Sequence, residues 1–358
     1  MTDTTAPPPP ARTPLGDSGI SVRPVGLGLM GMSQFYGAAD PDTSVAVIRD
    51  AIELGVELLD TSDYYGAGSA VPGRPVAGFG HNEELLGRAL RGRRDRAVVA
   101  TKFSARPAPG GGSFFDGRPE YVRAACEASL RRLGTPARPA PGGGSFFDGR
   151  PEYVRAACEA SLRLGAMAGL VAEGKVRAIG LSEVGPEILR RAHAVHPVAA
   201  LQSEYSLWER GVEAEVLPEC RRLGITLVPY SPLGRGMLTG AIGRDATFGS
   251  DDFRSTLPKF QGENLDHNRR LVDGLERFAA STGDTPGQIA LAWLLARHHD
   301  IVPIPGTRRP ANVRANLAAT SVRLSADDVA RLDALFDPAR VRGGRYGNLH
   351  TTPRATGA

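Results

Sequence analysis

Three side chains in this sequence are spaced so that together they could move a proton. The run LLDTSDYYG puts Asp60 at the end of an apolar stretch and Tyr65 five residues on, and VVATKF puts Lys102 at the end of the next stretch. In parallel α/β folds the carboxyl ends of the strands converge on one face, where these three would meet. A phenol with an ordinary pKa of about 10 becomes a proton donor near neutral pH when an ammonium favours its ionised form and a carboxylate holds that ammonium in place. Taken singly, each residue has a plain reading: Asp60 caps a turn, Tyr65 is a loop aromatic, and Lys102 keeps a strand-end charge in water. Their shared place at the ends of consecutive strands favours the joint reading. Lysine is also scarce, since Lys102, Lys175 and Lys259 are the only ones among 43 basic residues.

The elements that must position this trio alternate. Apolar strand candidates are Val25 to Met30, Val56 to Asp60, Ala97 to Lys102, Ala178 to Ser182, Ala199 to Ser203, Thr226 to Tyr230 and Ile301 to Pro305. Helical periodicity marks Ser44 to Leu54, Asn82 to Leu90, Glu120 to Leu133, Glu187 to Ala194, Glu213 to Leu223 and Pro286 to Ala296. Repeated βα units predict a parallel sheet with helices outside it, either a barrel or an open doubly wound sheet. A barrel needs eight strands, and seven are visible. Met1 to Pro14, with four consecutive prolines, reads as a disordered leader, and a small hairpin follows over Leu15 to Val25.

The count fails at one place. Residues Ala105 to Arg131 recur unchanged as Ala137 to Arg163, and both copies soon run into Leu-Gly. Solenoid repeats usually differ in sequence and number at least three, so two identical copies point to a recent duplication or an assembly error rather than to repeat architecture. Each copy supplies a Gly/Pro-rich loop and one amphipathic helix, so the second copy stands where a strand is expected.

Composition narrows the class. With 358 residues and 41% hydrophobic content the chain can bury a large core. No apolar run is long enough to span a bilayer, the start lacks a secretory design, and a cytoplasmic location with no membrane partner is expected. Cys126, Cys158 and Cys220 have neither metal-ligand spacing nor even parity, so no disulfide framework or metal site is expected. The 43 basic and 39 acidic residues are interspersed despite a net charge of +4, which argues against nucleic acid as a partner.

The motifs LGLGLMGMS, LLDTSDYYG, HNEELLGRAL, VVATKF, GKVRAIGLSEV, LQSEYSLWER, VPYSPLGRGMLTG and IPGTRRP, in this order, resemble the aldo-keto reductase family. The resemblance is particularly to bacterial members that resemble pyridoxal reductases and potassium-channel β subunits. It covers about residues 15 to 340 apart from the duplicated region, with 341 to 358 as a tail. It implies a single (β/α)8 TIM barrel that binds NADPH in extended form, here lacking or improvising its fourth strand. It matches Tyr65 to the general acid and Lys102 and Asp60 to its tuning pair. Ser182 and Gln202 match residues that hold the nicotinamide carboxamide, and Tyr230 one that stacks on its ring. Ser231, Leu233, Gly234, Arg235 and Gly236 would lie along the pyrophosphate. Gly306, Thr307, Arg308 and Arg309 fall where the adenosine 2′-phosphate is bound, an arginine fork suiting that group. Asn316 matches an adenine contact. The plain alternatives are a turn for Gly234 and Gly236, a core role for Tyr230, and a solvated helix start for the arginines.

The chain also departs from the family. Members carry a histidine at the end of the fourth strand, yet none occurs between Leu133 and Met167. Glu183 stands where the family has Asn, Ala315 where it has Glu, and Asn312 replaces a frequent arginine. His81 is the one histidine near the active face and reads as a solvent-exposed helix start; His193, His196, His298 and His299 fall by outer helices, and His267 and His350 in polar, loop-like surroundings. Losing an oxyanion donor costs on the order of 100- to 1,000-fold in rate. Losing a strand would leave backbone groups unpaired at roughly 1 to 3 kcal/mol each, unless residues such as Gly144 to Phe147 improvise one. The leading expectation is an NADPH-dependent reductase of small aldehydes or ketones. Two alternatives stay open, an NADPH-binding regulator with little turnover and a defective duplicated copy. The expected substrate loops, Phe103 to Arg118 and Leu238 to Gln261, leave the carbonyl compound open, and the sequence also leaves the oligomeric state open.

Overall fold

The computed structural model of the chain describes residues 12–67, 76–107, 113–135, 137–139, 145–147, 152–156, 160–297 and 299–346. It begins with an antiparallel hairpin, β1 (Thr13–Pro14) and β2 (Ser21–Val22). Thr13 and Pro14, read from sequence as the end of a leader, therefore belong to this hairpin. The Thr226 hydroxyl donates to the Pro14 carbonyl at 2.7 Å and accepts the Gly16 amide at 2.9 Å, fastening the hairpin across one end of the sheet.

Strands and helices then alternate. β3 (Leu27–Gly28), α1 (Pro41–Glu53), β4 (Leu58–Asp60), α2 (His81–Leu90) and β5 (Val98–Phe103) come first. α1 starts where Asp40 accepts the Thr43 amide at 2.7 Å, with Pro41 at the first position, where a missing N–H costs nothing. The first copy of the duplicated segment gives a hairpin, β6 (Ala105–Pro107) with β7 (Ser113–Phe115), and helix α3 (Pro119–Arg132). The second copy repeats the hairpin as β8 (Ala137–Pro139) and β9 (Ser145–Phe147), then becomes strand β10 (Glu152–Ala156) and the start of α4 (Ala160–Ala172). The later elements are β11 (Ala178–Ser182), α5 (Pro186–Val195), β12 (Val198–Glu204), α6 (Val216–Arg222), β13 (Thr226–Tyr230), α7 (Gly262–Thr282), α8 (Pro286–Arg297), α9 (Pro310–Ala318) and α10 (Ala326–Leu335).

Seven strands form one parallel sheet in the order β13-β12-β11-β10-β5-β4-β3. Its two edges are joined through residues 300–306. The Val302 amide donates to Leu227 at 2.9 Å and Ile304 to Pro229 at 3.0 Å on one side; on the other, Gly26 donates to Pro303 at 2.9 Å and Gly28 to Pro305 at 3.3 Å. Ile301 to Pro305 does this without a regular ladder, because Pro303 and Pro305 have no N–H to give.

The fourth strand is improvised, but not by Ser145–Phe147, which pair within their own hairpin. Glu152–Ala156 fill the gap, Glu152 opposite Val99 on β5 and Tyr153 opposite Ala178 on β11. The same five residue types in the first copy, Glu120 to Ala124, are helical in α3. The local sequence is identical, so only surroundings distinguish the two outcomes. Two strand edges with unpaired backbone groups flank the second copy and override its helical pattern.

Side chains alternate across each strand. Leu58, Val98, Ala100, Ala178, Ala200, Val228, Val302 and Ile304 share one buried cluster with Leu15, Ile20 and Val22 of the hairpin. Two residues further along the same inward rows stand Asp60, Lys102, Gln202 and Tyr230, and Ser182 stands four residues beyond Ala178. The pleat thus gathers these residues above an apolar floor at the carboxyl ends of the strands.

Candidate active site

Lys102 Nζ donates to both oxygens of Asp60 at 2.8 Å and to the Thr61 carbonyl at 2.7 Å, and it lies 4.7 Å from the centroid of the Tyr65 ring. The chain leaving β4 stays alongside β5, the Thr61 amide bonding Ala100 at 2.8 Å and the Asp63 amide bonding Lys102 at 3.0 Å. That run sets Tyr65 over the ammonium. Asp60 and Lys102 are 4% and 13% exposed, so each charge depends on the other. Breaking such a buried pair by removing one partner costs about 3 to 5 kcal/mol.

Gln202 joins the pair, its Nε2 donating to Asp60 Oδ1 at 2.8 Å. Ser182 lies opposite it in the β11–β12 register and is half-buried. Neighbouring Glu183 has φ of 58°, a left-handed conformation that asparagine tolerates better than glutamate. That explains the asparagine expected there; the longer carboxylate accepts the Glu204 amide at 3.1 Å.

A second polar network backs the Tyr65 loop. Thr61 donates to Asn82 Oδ1 at 2.7 Å, and Asn82 Nδ2 donates to the Leu29 carbonyl at 2.9 Å and Ser33 Oγ at 2.7 Å. Ser33 Oγ meets His81 Nδ1 at 3.0 Å. His81 is therefore half-buried and tied to this network rather than solvent-exposed, as its sequence position suggested. The other described histidines engage backbone groups away from the cluster where their bonds are given: His193 accepts the Val198 amide, His196 contacts the Pro197 carbonyl, and His267, which lies on α7 rather than in a loop, contacts the Arg340 carbonyl. His298 and His350 lie outside the described residues.

Sequence reasoning missed Asp63. Its side chain is fully buried, and neither carboxyl oxygen finds a properly aligned partner among the described residues. Burial first and the charge of Glu83 second push its carboxyl up to about 8; Arg132, the Tyr64 amide and Lys102 offset only part of this. Glu83 is itself buried, accepts from Thr101 Oγ1 and pairs with Arg132 Nε at 2.6 Å. The signal available in sequence was a second acid within DTSDYYG, two residues before Tyr65.

Tyr230 ends β13 with its hydroxyl 3.0 Å from that of Tyr346 and hydrogen-bonded to Arg345. Burial, then Glu183 and Glu204, raise its phenol well above the ordinary range, so it stays protonated. Beyond it the backbone curls, with positive φ at Ser231 (49°), Gly234 (56°), Arg235 (56°) and Gly236 (97°). Such left-handed positions bend a chain into an anion-receiving concavity. The Leu233 carbonyl accepts the Gly236 amide at 3.0 Å and the Leu238 amide at 3.2 Å. Gly234 also has a packing reason, because a Cβ there would stand 2.7 Å from the Trp208 indole nitrogen. Arg235 is buried against Glu204 at 3.2 Å.

Gly306 bridges Gly28 at the seam of the sheet. Thr307 Oγ1 accepts the Arg309 amide at 3.1 Å, starting α9, where Asn316 is buried. The two arginines differ. Arg308 spends its fork on the carbonyls of Tyr36 at 2.7 Å and Ala38 at 2.8 Å, whereas the Arg309 side chain is exposed.

The Tyr65 phenol, the buried Lys102–Asp60 pair and a loop with left-handed positions thus stand at the carboxyl face of one parallel sheet. The model of the aldo/keto reductase family matches residues 24–337, and the chain belongs to this family. Among solved structures it is similar to a glycerol dehydrogenase from Gluconobacter oxydans, with 28% identity, a TM-score of 0.77, and coverage of 91% of this chain and 96% of that one. It is also similar to an aldo-keto reductase from Klebsiella pneumoniae in complex with NADPH, with 26% identity, a TM-score of 0.65, and coverage of 94% and 98%. An aldo-keto reductase from Bacillus halodurans in its holo form shares the fold at 23% identity and a TM-score of 0.70. Among the described residues no helix is long and apolar enough to cross a membrane, and no group of three His, Cys, Asp or Glu could hold a metal ion.

Proposed function

We propose that this chain is an NADPH-dependent oxidoreductase that reduces small aldehydes or ketones to alcohols on a (β/α)8 barrel whose fourth strand comes from the second copy. The observation that carries this is the contact of Lys102 with both Asp60 and the Tyr65 ring, with Gln202 sharing Asp60. The residues present fit the cofactor: the loop Ser231 to Gly236, left-handed at four of its six positions, offers a concavity for pyrophosphate, and Arg309 offers an exposed guanidinium for the 2′-phosphate. Arg308 is engaged elsewhere. Ser182 and Gln202 would hold the carboxamide, Tyr230 the ring face, and Asn316 the adenine.

Bound NADPH supplies the hydride that goes to the carbonyl carbon. Tyr65 gives its hydroxyl proton to the carbonyl oxygen, so that the alcohol forms with charge balanced. The Lys102 ammonium stabilises the phenolate left behind, and Asp60 keeps that ammonium charged and in place. With no histidine at the end of β10, one oxyanion donor is missing, and turnover lower by on the order of 100- to 1,000-fold than with that donor is expected. The same absence favours a second reading, an NADPH-binding regulator with little turnover. The unbroken pairing of β10 on both sides supports an intact fold over a defective copy.

The test is NADPH oxidation by the purified chain with a reactive aromatic aldehyde, alongside Tyr65→Phe. Turnover abolished in the variant supports the reductase. NADPH binding without turnover in the unsubstituted chain supports the regulator.

A further inference from the structure

Residues 340–346 follow the last helix and run back over the carboxyl face along a defined path. His267 Nε2 contacts the Arg340 carbonyl at 2.8 Å. Asn268, fully buried on α7, accepts the Arg342 amide at 2.9 Å and donates to the Arg342 carbonyl at 2.8 Å. Gly343 then passes against Pro258 and Lys259 with φ of 88°; a Cβ there would stand 2.8 Å from the Lys259 nitrogen. Only glycine fits both that angle and that gap. The path delivers Arg345 to three acceptors: Glu204 Oε2 at 2.6 Å, Glu183 Oε2 at 2.9 Å and the Tyr230 hydroxyl. Tyr346 follows, its hydroxyl 3.0 Å from that of Tyr230.

We propose that this carboxyl-terminal strap is part of the cofactor site, with Arg345 as a positioning residue that fixes the plane of Tyr230 for the nicotinamide. The inference rests on the reductase reading above. Arg345 hydrogen-bonds the phenol, while its guanidinium carbon lies 5.8 Å from the Tyr230 centroid. The guanidinium therefore stands beyond the hydroxyl edge and does not cover the ring. A phenol at the end of a strand can swing about its side-chain torsions, and a fork fixed by two carboxylates removes that freedom. Glu204, 4% exposed, also holds Arg235 of the loop expected to carry the pyrophosphate. One carboxylate thus joins the strap to the loop expected to carry the pyrophosphate. Glu183, at the position where the resemblance expected asparagine, is the second anchor.

The experiment is fluorescence titration of NADPH against the full chain, Arg345→Ala, Arg345→Lys and Tyr346→Phe, with melting curves for each. Arg345→Ala is expected to weaken NADPH binding about 10- to 100-fold, the range for losing a hydrogen bond to a charged group, with added methylguanidine restoring part of the loss. Arg345→Lys, which keeps charge but not the fork, should fall between, and Tyr346→Phe should show a smaller loss at an unchanged melting temperature. Equal NADPH affinity in the unsubstituted chain, Arg345→Lys and Tyr346→Phe would overturn the strap alone. An unsubstituted chain that takes up no NADPH would overturn both the strap and the reductase reading.

Discussion

Gln202 and Lys102 bond the same oxygen of Asp60, each at 2.8 Å to Oδ1. The residue expected to orient the nicotinamide is therefore coupled to the ammonium expected to tune the acid. Gln202→Ala should raise the NADPH KM and also displace the pH profile of kcat, because Asp60 loses a donor. A change in KM with an unmoved profile would show that the shared oxygen carries no coupling.

Asp60→Ala should do more to stability than to shape. It leaves the Lys102 ammonium, 13% exposed, without its counter-charge. A loss of about 3 to 5 kcal/mol is expected from the general cost of an uncompensated buried charge. Urea unfolding checks this, and a loss under about 1 kcal/mol would mean that water already reaches Lys102.

Asp63 predicts how stability depends on pH. Its carboxyl titrates from an ordinary value of 3.8 when unfolded to about 8 when folded, so between these values the folded state holds the extra proton. Its contribution is complete below about pH 4 and is lost as pH rises through about 8. Urea midpoints at pH 5 and pH 8.5 should fall more steeply for the unsubstituted chain than for Asp63→Asn. Parallel slopes would place the titrating group elsewhere.

The two arginines after the seam should separate by cofactor. Arg309→Ala is expected to raise the KM for NADPH about tenfold or more while leaving that for NADH alone, as loss of a charged contact to phosphate would. Arg308→Ala should instead free the loop at residues 36–38, whose carbonyls it holds, and affect both cofactors alike. Steady-state kinetics with each nucleotide decides it.

Hydrogen exchange can compare the two copies directly. Glu120 to Ala124 and Glu152 to Ala156 share one sequence, so their intrinsic exchange rates match. In the first copy protection should begin at Val122, whose amide bonds the Arg118 carbonyl, because Glu120 and Tyr121 stand in the unpaired first turn; the second copy, between two strands, should be protected along its length. Exchange of the second at the unprotected rate would mean that the sheet is open there.

Much of this was legible because burial writes itself into period. Ala178–Ser182 and Thr226–Tyr230 are strands at their expected limits, since continuous apolar runs bounded by polar residues suit a sheet covered on both faces. The Asp60–Lys102 pairing followed from strand ends alone. β10 was not legible, because its residues carry the helical pattern that its twin obeys, and it is pairing with β5 and β11 that holds them extended. Nor could sequence show that Arg308 turns away to the Tyr36 and Ala38 carbonyls, or that Arg345 crosses to Tyr230. Those contacts join residues far apart in the chain and leave no local periodicity.

Identical segments pose the chain a choice of address. The helical berth beside α2 is closed by Arg132, which bonds Glu83 and has no counterpart after Arg163. The ribosome also delivers the first copy ahead of its rival. A circular permutant that releases the second segment first would let the two compete, and would show whether Arg132 or birth order makes the assignment.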